Sequence, residues 1–341
     1  MLFMPNLSPE ARRHEAMRWQ ADRTRGARNL PSRARPPWIG RAWDVTKRVW
    51  VGVFNDGSIH AGNLAYMIVI ALFPFFIASA AMFSLIGEAS QRAAAIDAVL
   101  IAMPPMVAAT IEPVARSVIE ARSGWLLWIG GFIGLWTVGS LVETIRDILR
   151  RAYGTRWEHA FWRYRLMSTG ITIGSVVLIL LAIFAQVIIG TAQQVIQAFL
   201  PQFGNLVTDL ALSRFIPAFV LYGALWLLFI SLTPGAYRGR NYPKWPGALF
   251  VTLWWIAVTT ALPGLLRTFF SYDLTYGSLA GIMIALFFFW LVGLGMVVGA
   301  ELNAALAETP EERDMLGQAD NRARASMASA GNDTRSENKD A

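Results

Sequence analysis

The chain has 341 residues, of which 55% are hydrophobic and only 16% are charged. Soluble globular proteins carry about 25% charged residues, so this composition favours a membrane protein. The lack of cysteine excludes disulfides and thiolate metal sites, and the three histidines, His14, His60 and His159, do not have the spacing of metal ligands. No P-loop motif is present, and we predict no cofactor.

The N-terminal 37 residues are rich in Arg, Pro, Ser and Asn and contain few apolar side chains. Such a segment buries too little apolar surface to order itself, so we predict a disordered tail over residues 1–37. The next stretch, RAWDVTKRVWVGVFND, places Trp43, Trp50 and Phe54 on one helical face. This pattern predicts an amphipathic helix in the membrane interface.

Six apolar segments are long enough to cross a bilayer, because a spanning helix needs about 20 apolar residues. They lie at about 61–86, 124–142, 166–189, 210–232, 245–266 and 279–302. Backbone groups in lipid must satisfy their own hydrogen bonds, and these continuously apolar runs are too long for barrel strands. The sequence therefore predicts an all-α domain of six transmembrane helices over residues 38–308, followed by a second disordered tail over residues 309–341.

The first outer loop, residues 87–123, contains two apolar repeats at helical spacing, separated by Pro104 and Pro105. Proline cannot continue a helix, so we predict two short amphipathic helices in this loop. Packing on the outer end of the bundle is the favoured role, and a lid over a cavity is the alternative.

Basic residues alternate between the two sides of the predicted bundle. Residues 1–60 hold eleven Lys and Arg residues, and the links after the second and fourth spans hold six and three. The tail after Leu302 holds five, whereas the opposite loops together hold five. By the positive-inside rule, both termini are predicted to be cytoplasmic. This orientation signal explains the net charge of +7 better than nucleic-acid binding does.

Glycines recur four residues apart in the predicted spans, for example Gly295 and Gly299. Small residues at this spacing let helices approach closely, and tight packing is the predicted role.

Several polar residues are predicted to lie at one depth, near the cytoplasmic ends of the spans. Acids and amides at membrane depth usually face the bundle interior or water. The candidate set for a substrate site or a helix clamp is Asn63, Glu143, Arg146, Glu301 and Asn303. Glu143 and Arg146 have the spacing of a helical ion pair. Glu301 is predicted to pair with Arg146 or Arg240; a substrate or proton site and simple exposure are the alternatives.

Three stretches resemble a known family. They are AGNLAYMIVIALFPFFI, YPKWPGALFVTLWWIA and TYGSLAGIMIALFFFWLVGLGMVVGAELNAALAE, and they are similar to signatures of the YihY/virulence factor BrkB family of bacterial inner-membrane proteins. The matching motif positions include Tyr66, Pro74, Tyr276, Gly277 and Gly299. The resemblance implies a six-helix protein of the envelope, with some relatives moving lipids, and it brings no catalytic residues. The label ribonuclease BN is sometimes attached to this family.

Three classes of function follow from the sequence and the resemblance. The first is a transporter or flippase for an amphiphilic, lipid-like envelope molecule. The second is a non-transporting scaffold for envelope integrity. The least favoured is a ribonuclease, because phosphodiester cleavage usually needs a metal held by clustered carboxylates or histidines. We predict a protein that is not an enzyme, has membrane lipids as partners and binds no nucleic acid; substrate and oligomeric state are not indicated.

Overall fold

The computed structural model describes residues 6–25, 38–86, 100, 103–120, 125–155, 170, 212–269 and 279–317. Throughout these ranges, regular secondary structure is helical, which confirms the predicted all-α class there. The helices are α1 (Pro9–Thr24), α2 (Trp38–Ile86), α3 (Pro105–Glu120), α4 (Trp125–Tyr153), α5 (Leu212–Leu232), α6 (Trp245–Phe269) and α7 (Ala280–Leu306). A 3-10 turn at Gly235–Tyr237 lies between α5 and α6, and α8 covers residues 310–317.

Two segments of the described helices are long and apolar enough to cross a membrane, Trp245–Leu266 and Ala280–Leu306. Gly57–Leu72 and Ala218–Leu232 are shorter apolar helical segments. The predicted third span, 166–189, lies outside the described residues except for residue 170. The number of six spans therefore stays a prediction.

The first predicted span and the helix before it form one continuous helix, α2, of 49 residues. At about 1.5 Å per residue it is about 74 Å long, which exceeds a hydrocarbon core of about 30 Å. Its N-terminal part carries Trp43, Trp50 and Phe54 as exposed side chains. The sequence predicted a separate interfacial helix, whereas the structure has no break between the two segments.

Helix α7 is the centre of the described bundle, since it packs against α2, α3, α4 and α6. Its contact with α2 follows one line of residues, which we call the α2 seam: Gly293 opposite Ala61, Val297 opposite Gly57 and Glu301 opposite Gly52. A Cβ atom on Gly293 would lie 2.7 Å from the Ala61 carbonyl oxygen. The backbones therefore approach too closely for any side chain at this position.

The contact between α7 and α6 follows a second line, the α6 seam. Gly295 lies against the Trp254 ring, Gly299 against Val251, and Asn303 against Gly247. The prediction that Gly295 and Gly299 serve close helix packing is confirmed. Gly293 thus lies on the α2 seam, and Gly295 and Gly299 lie on the α6 seam.

Helix α3 packs against α2 and α7 at the end of the bundle away from the chain termini. Val107 is fully buried in a cluster with Ile284, Ala285 and Phe288. One of the two helices predicted in the outer loop is thus present, in the predicted packing role. The other falls mostly outside the described residues.

Residues 9–24 were predicted to be disordered, and the structure corrects this. The Ser8 side chain caps α1 by accepting a hydrogen bond from the Ala11 amide at 3.4 Å, and Pro9 occupies the first turn. Ala16 and Trp19 are buried. The physical reason is long-range, because this segment packs against the far end of the chain. Helix α8 similarly orders residues 310–317 of the second predicted tail.

Candidate functional site

Both described chain ends lie at the same end of the bundle, which we call the termini end. It contains α1, the end of α4 at Tyr153, the turn at Gly235–Tyr237 and the end of α7. A core of large buried side chains lies just inside it, with Tyr153, Tyr237 and Phe229 fully or almost fully buried. Most of the predicted polar set is found next to this core.

Asn303 is 1% exposed and binds the start of α6. Its Oδ1 accepts a hydrogen bond from the Gly247 backbone N–H at 2.8 Å. Gly247 is the third residue of α6, and the first four N–H groups of a helix have no partner inside the helix. Asn303 therefore supplies one of the missing acceptors, which gives it the geometry of a helix clamp.

Glu301 lies two residues earlier, on the α2 seam, and is half-buried. Its carboxyl group occupies the space that a Cβ atom on Gly52 would fill. Among the described residues, Glu301 has no hydrogen bond or ion pair, so the predicted pairing with Arg146 or Arg240 is wrong there. Burial raises the pKa of Tyr153 on α4, and the nearby Glu301 charge raises it further.

Helix α4 presents two different faces at the termini end. Arg146 and Arg150, one turn apart, are 4% and 6% exposed. Arg151 is exposed, and its Nε lies 3.0 Å from Asp147 Oδ2 in an ordinary helical ion pair. Buried cations are costly unless polar groups compensate them, so the first face is an unusual place for two guanidinium groups. Glu143, one turn before Arg146, is half-buried, and its pairing with Arg146 stays a prediction.

Asn63 does not belong to this buried set, because its side chain is exposed. Ala61 and Ala65 of α2 are buried toward α7, and helical geometry turns position 63 away from them. Tyr66 is exposed for the same reason. Of the remaining motif positions, Pro74 lies inside α2, Gly299 lies on the α6 seam, and Tyr276 and Gly277 lie outside the described residues.

Helix α1 covers the termini end through contacts that sequence reasoning missed. The Tyr237 hydroxyl donates a hydrogen bond to Glu10 Oε2 at 2.6 Å. Ser8 packs directly on Gly154, which ends α4 with a φ of 73°. Burial first, and then the bond to Glu10, raises the pKa of Tyr237 well above its usual range. Ser8 and Pro9 are residue types that favour the start of a helix, but the sequence does not show which residues α1 contacts.

Arg12 and Arg48 bind the C-terminal end of α7. Arg12 Nη2 donates to the carbonyl oxygens of Ala304 at 3.1 Å and Ala307 at 2.9 Å, and Arg48 Nη1 donates to Ala305 at 3.2 Å. The last carbonyls of a helix have no intrahelical donors and carry partial negative charge, so both arginines complete the helix end. Glu312 lies between them, with its Oε1 2.5 Å from Arg12 Nη1 and 3.5 Å from Arg48 Nη2.

A charged cleft of about 370 Å³ lies between α1, the start of α2 and the C-terminal segment, and includes Arg41, Lys47 and Glu308 in its lining. An apolar cavity of about 130 Å³ lies between α2, α3 and α7, near Phe76 and Phe289.

Within the described ranges, no three His, Asp or Glu side chains form a group that could hold a metal ion.

Comparison with known proteins gives one family. A family model described as "Virulence factor BrkB" matches residues 53–323. The chain is also 27% identical over 268 residues to the ribonuclease-like protein YfkH of Bacillus subtilis (strain 168), which covers 74% of this chain and 90% of that protein. No solved structure matches the chain. The family match spans most of the chain, including the α6 seam, the α2 seam except for Gly52, and the buried face of α4, so the protein belongs to the BrkB virulence factor family of membrane proteins.

Proposed function

We propose that this protein transports an amphiphilic, lipid-like envelope molecule with an anionic headgroup in the bacterial inner membrane. The observation that carries the proposal is the pair of buried guanidinium groups, Arg146 and Arg150, at one end of a membrane-protein bundle. Arginine binds phosphate and carboxylate through two parallel hydrogen bonds, and these bonds are strong where water is excluded.

The distribution of basic residues in the sequence supports placing the termini end in the cytoplasm. In that orientation, the headgroup enters from the cytoplasmic leaflet and reaches Arg146 and Arg150 beside α7. Glu143 lies on the same helix, and its negative charge would repel a second anionic group on the substrate. The acyl part would remain in lipid along the outer surface of the bundle.

The name of the Bacillus subtilis relative suggests a ribonuclease, but this description belongs to that protein. No observation on the described residues of this chain favours such an activity, and we propose a role without catalysis. A scaffold that organises other envelope proteins would not need buried arginines on α4, so we place it second.

Binding can be tested with the purified protein and defined lipids. Native mass spectrometry would compare phosphatidylglycerol with phosphatidylcholine for the wild type, Arg146→Gln, Arg150→Gln and Arg151→Gln. Each of the first two variants should weaken phosphatidylglycerol binding at least tenfold, about 1.4 kcal/mol. Arg151→Gln is the matched control on the exposed face and should bind as the wild type does. Equal affinity for both lipids, or no loss in folded Arg146→Gln and Arg150→Gln, would remove the proposal in favour of a scaffold.

A further inference from the structure

The two polar residues that end the apolar run of α7 are not equivalent. Asn303 has a defined hydrogen bond to the start of α6. Glu301, half a turn away on the α2 seam, has none among the described residues. The headgroup site proposed above uses neither residue, so the acid is unexplained.

The position of Glu301 follows the geometry of the seam. Gly293, Val297 and Glu301 are spaced four apart and form one stripe on α7. The stripe meets α2 at Ala61, Gly57 and Gly52 in turn. A side chain on Gly52 would occupy the volume of the Glu301 carboxyl group, so only glycine there lets the acid lie between the two helices.

The charged groups around Glu301 are bound to other partners. On α2, Arg48 lies one turn before Gly52 and contacts the Ala305 carbonyl and Glu312. Lys244, next to the start of α6, donates to the carbonyls of Arg238 and Gly239. Glu308, which follows the end of α7, pairs with Arg41 at 3.0 Å.

Helix α4 contributes the remaining titratable groups. Tyr153 is close enough for the Glu301 charge to act on it, and it is a proton donor rather than a cation. Arg146 and Arg150 lie on the same helix, and among the described residues Glu301 has an ion pair with neither of them. Among the described residues, no cation neutralises this carboxylate, and an unpaired charge held between two helices is less stable than the neutral acid.

We infer that Glu301 is a proton-binding site whose protonation controls the packing of α2 on α7. The neutral acid fits against Gly52 in a closed seam. The carboxylate is drawn toward water, and the seam loosens at its termini end. Uptake forms the carboxyl O–H bond with a proton from water at the termini end, and release restores the carboxylate, so no further reactant is needed. A role for this proton uptake in driving transport rests on the proposed function.

Infrared difference spectroscopy tests the proton site directly. Wild-type protein, taken from mildly alkaline to mildly acidic pH, should gain a carboxylic C=O band that Glu301→Gln lacks. Glu308→Gln is the matched control, since it removes a nearby acid that has an arginine partner, and it should keep the band. Gly52→Ala should shift or abolish the band, because the added methyl group displaces the carboxyl. Identical difference spectra for the wild type and Glu301→Gln would overturn the inference.

Spin labels test the link to helix packing. The chain has no cysteine, so cysteines introduced at Ile59 of α2 and Leu302 of α7 would carry the only labels. The distance between them should change by about 1–2 Å with pH in the wild type and stay constant in Glu301→Gln. A distance that does not depend on pH in the wild type would also overturn the inference.

Transport is measured separately, so the two proposals fail separately. In proteoliposomes, translocation of fluorescent phosphatidylglycerol should depend on pH for the wild type and lose that dependence in Glu301→Gln. If neither the wild type nor Glu301→Gln moves the lipid, while the wild type keeps the carboxylic C=O band and the pH-dependent distance, the proton site stands and the proposed transport fails. If translocation proceeds without either spectroscopic change, transport stands and the proton site fails.

Discussion

Arg12 and Glu312 are 300 residues apart in sequence and form a buried ion pair, with Arg12 Nη1 2.5 Å from Glu312 Oε1 and 2.6 Å from Oε2. The pair joins α1 to the segment that follows α7, while Arg12 Nη2 binds the end of α7 itself. Burying two charges is costly, and hydrogen bonds to the remaining protons offset that cost. Both ends of the described chain are therefore held together at one end of the bundle.

Removing one partner of this pair should undock α1. We expect Arg12→Ala to weaken docking by about 3–5 kcal/mol, because Glu312 is left as a buried charge. Hydrogen exchange of the amides in residues 9–24 measures the effect. Arg13→Ala is the control on the same helix, since its side chain is 35% exposed and its bond to Glu311 is an ordinary surface pair. That change should cost about 1 kcal/mol or less. Equal protection of α1 in Arg12→Ala and the wild type would contradict this reading.

The α2 seam should not tolerate a side chain at Gly293. The nearest atom to an added Cβ is a backbone oxygen, which cannot rotate away, so Gly293→Ala should cost about 1–3 kcal/mol. Gly264→Ala in α6 is the control, because nothing lies within 4 Å of its added Cβ. It should be neutral or stabilising by up to about 1 kcal/mol, as alanine favours helix. Thermal unfolding in detergent compares the two, and similar midpoints would refute the close approach.

Truncation of Asn303 should destabilise the protein, whereas truncation of Asn63 should not. Asn303→Ala leaves the buried Gly247 N–H without its acceptor, at a cost of about 1–3 kcal/mol. Asn63→Ala changes an exposed side chain and should stay within about 0.5 kcal/mol of the wild type. Unfolding free energies in denaturant give the comparison. A larger loss for Asn63→Ala would mean that the exposed position has a partner.

Docking of α1 should weaken at alkaline pH through Tyr237. Its pKa is raised by burial and then by Glu10, so its contribution is fully present below the unfolded value of about 10 and is lost as pH rises through the folded value. A fluorophore on Met17→Cys reports undocking. Tyr237→Phe should dock less tightly at neutral pH and show a flatter alkaline profile. Superimposable profiles for the two proteins would show that another group controls the transition.

The sequence predicts the described apolar helices of the bundle, because long apolar runs and glycines at a spacing of four depend on local pattern alone. Gly295, Gly299 and the position of α3 follow from that pattern. The docking of α1 was missed, since it depends on Glu312 and Tyr237, which no local periodicity connects to residues 9–24. Asn63 was misplaced because hydropathy gives its depth but not the direction in which helix phase turns it.

The candidate site was predicted in part. Arg146 and Asn303 were identified from depth, and both are buried. Arg150 was not in the set, because a count of the basic residues in the link after the second span does not show which of them face the bundle. Glu301 was expected to pair with an arginine, yet the cations nearby bind backbone carbonyls and other acids. Which acid or carbonyl each cation binds is decided by three-dimensional packing, and a local sequence pattern does not show it.

The proposed transport requires that Arg146 and Arg150 hold an anionic headgroup. Its most direct test is the translocation rate of fluorescent phosphatidylglycerol and phosphatidylcholine in proteoliposomes containing the wild type, the Arg146→Gln/Arg150→Gln double variant or Arg151→Gln. We predict faster movement of phosphatidylglycerol by the wild type and by Arg151→Gln, and a loss of at least tenfold in the double variant. Rates equal to those of protein-free liposomes for the wild type, or equal rates for the wild type and the folded double variant, would contradict the account.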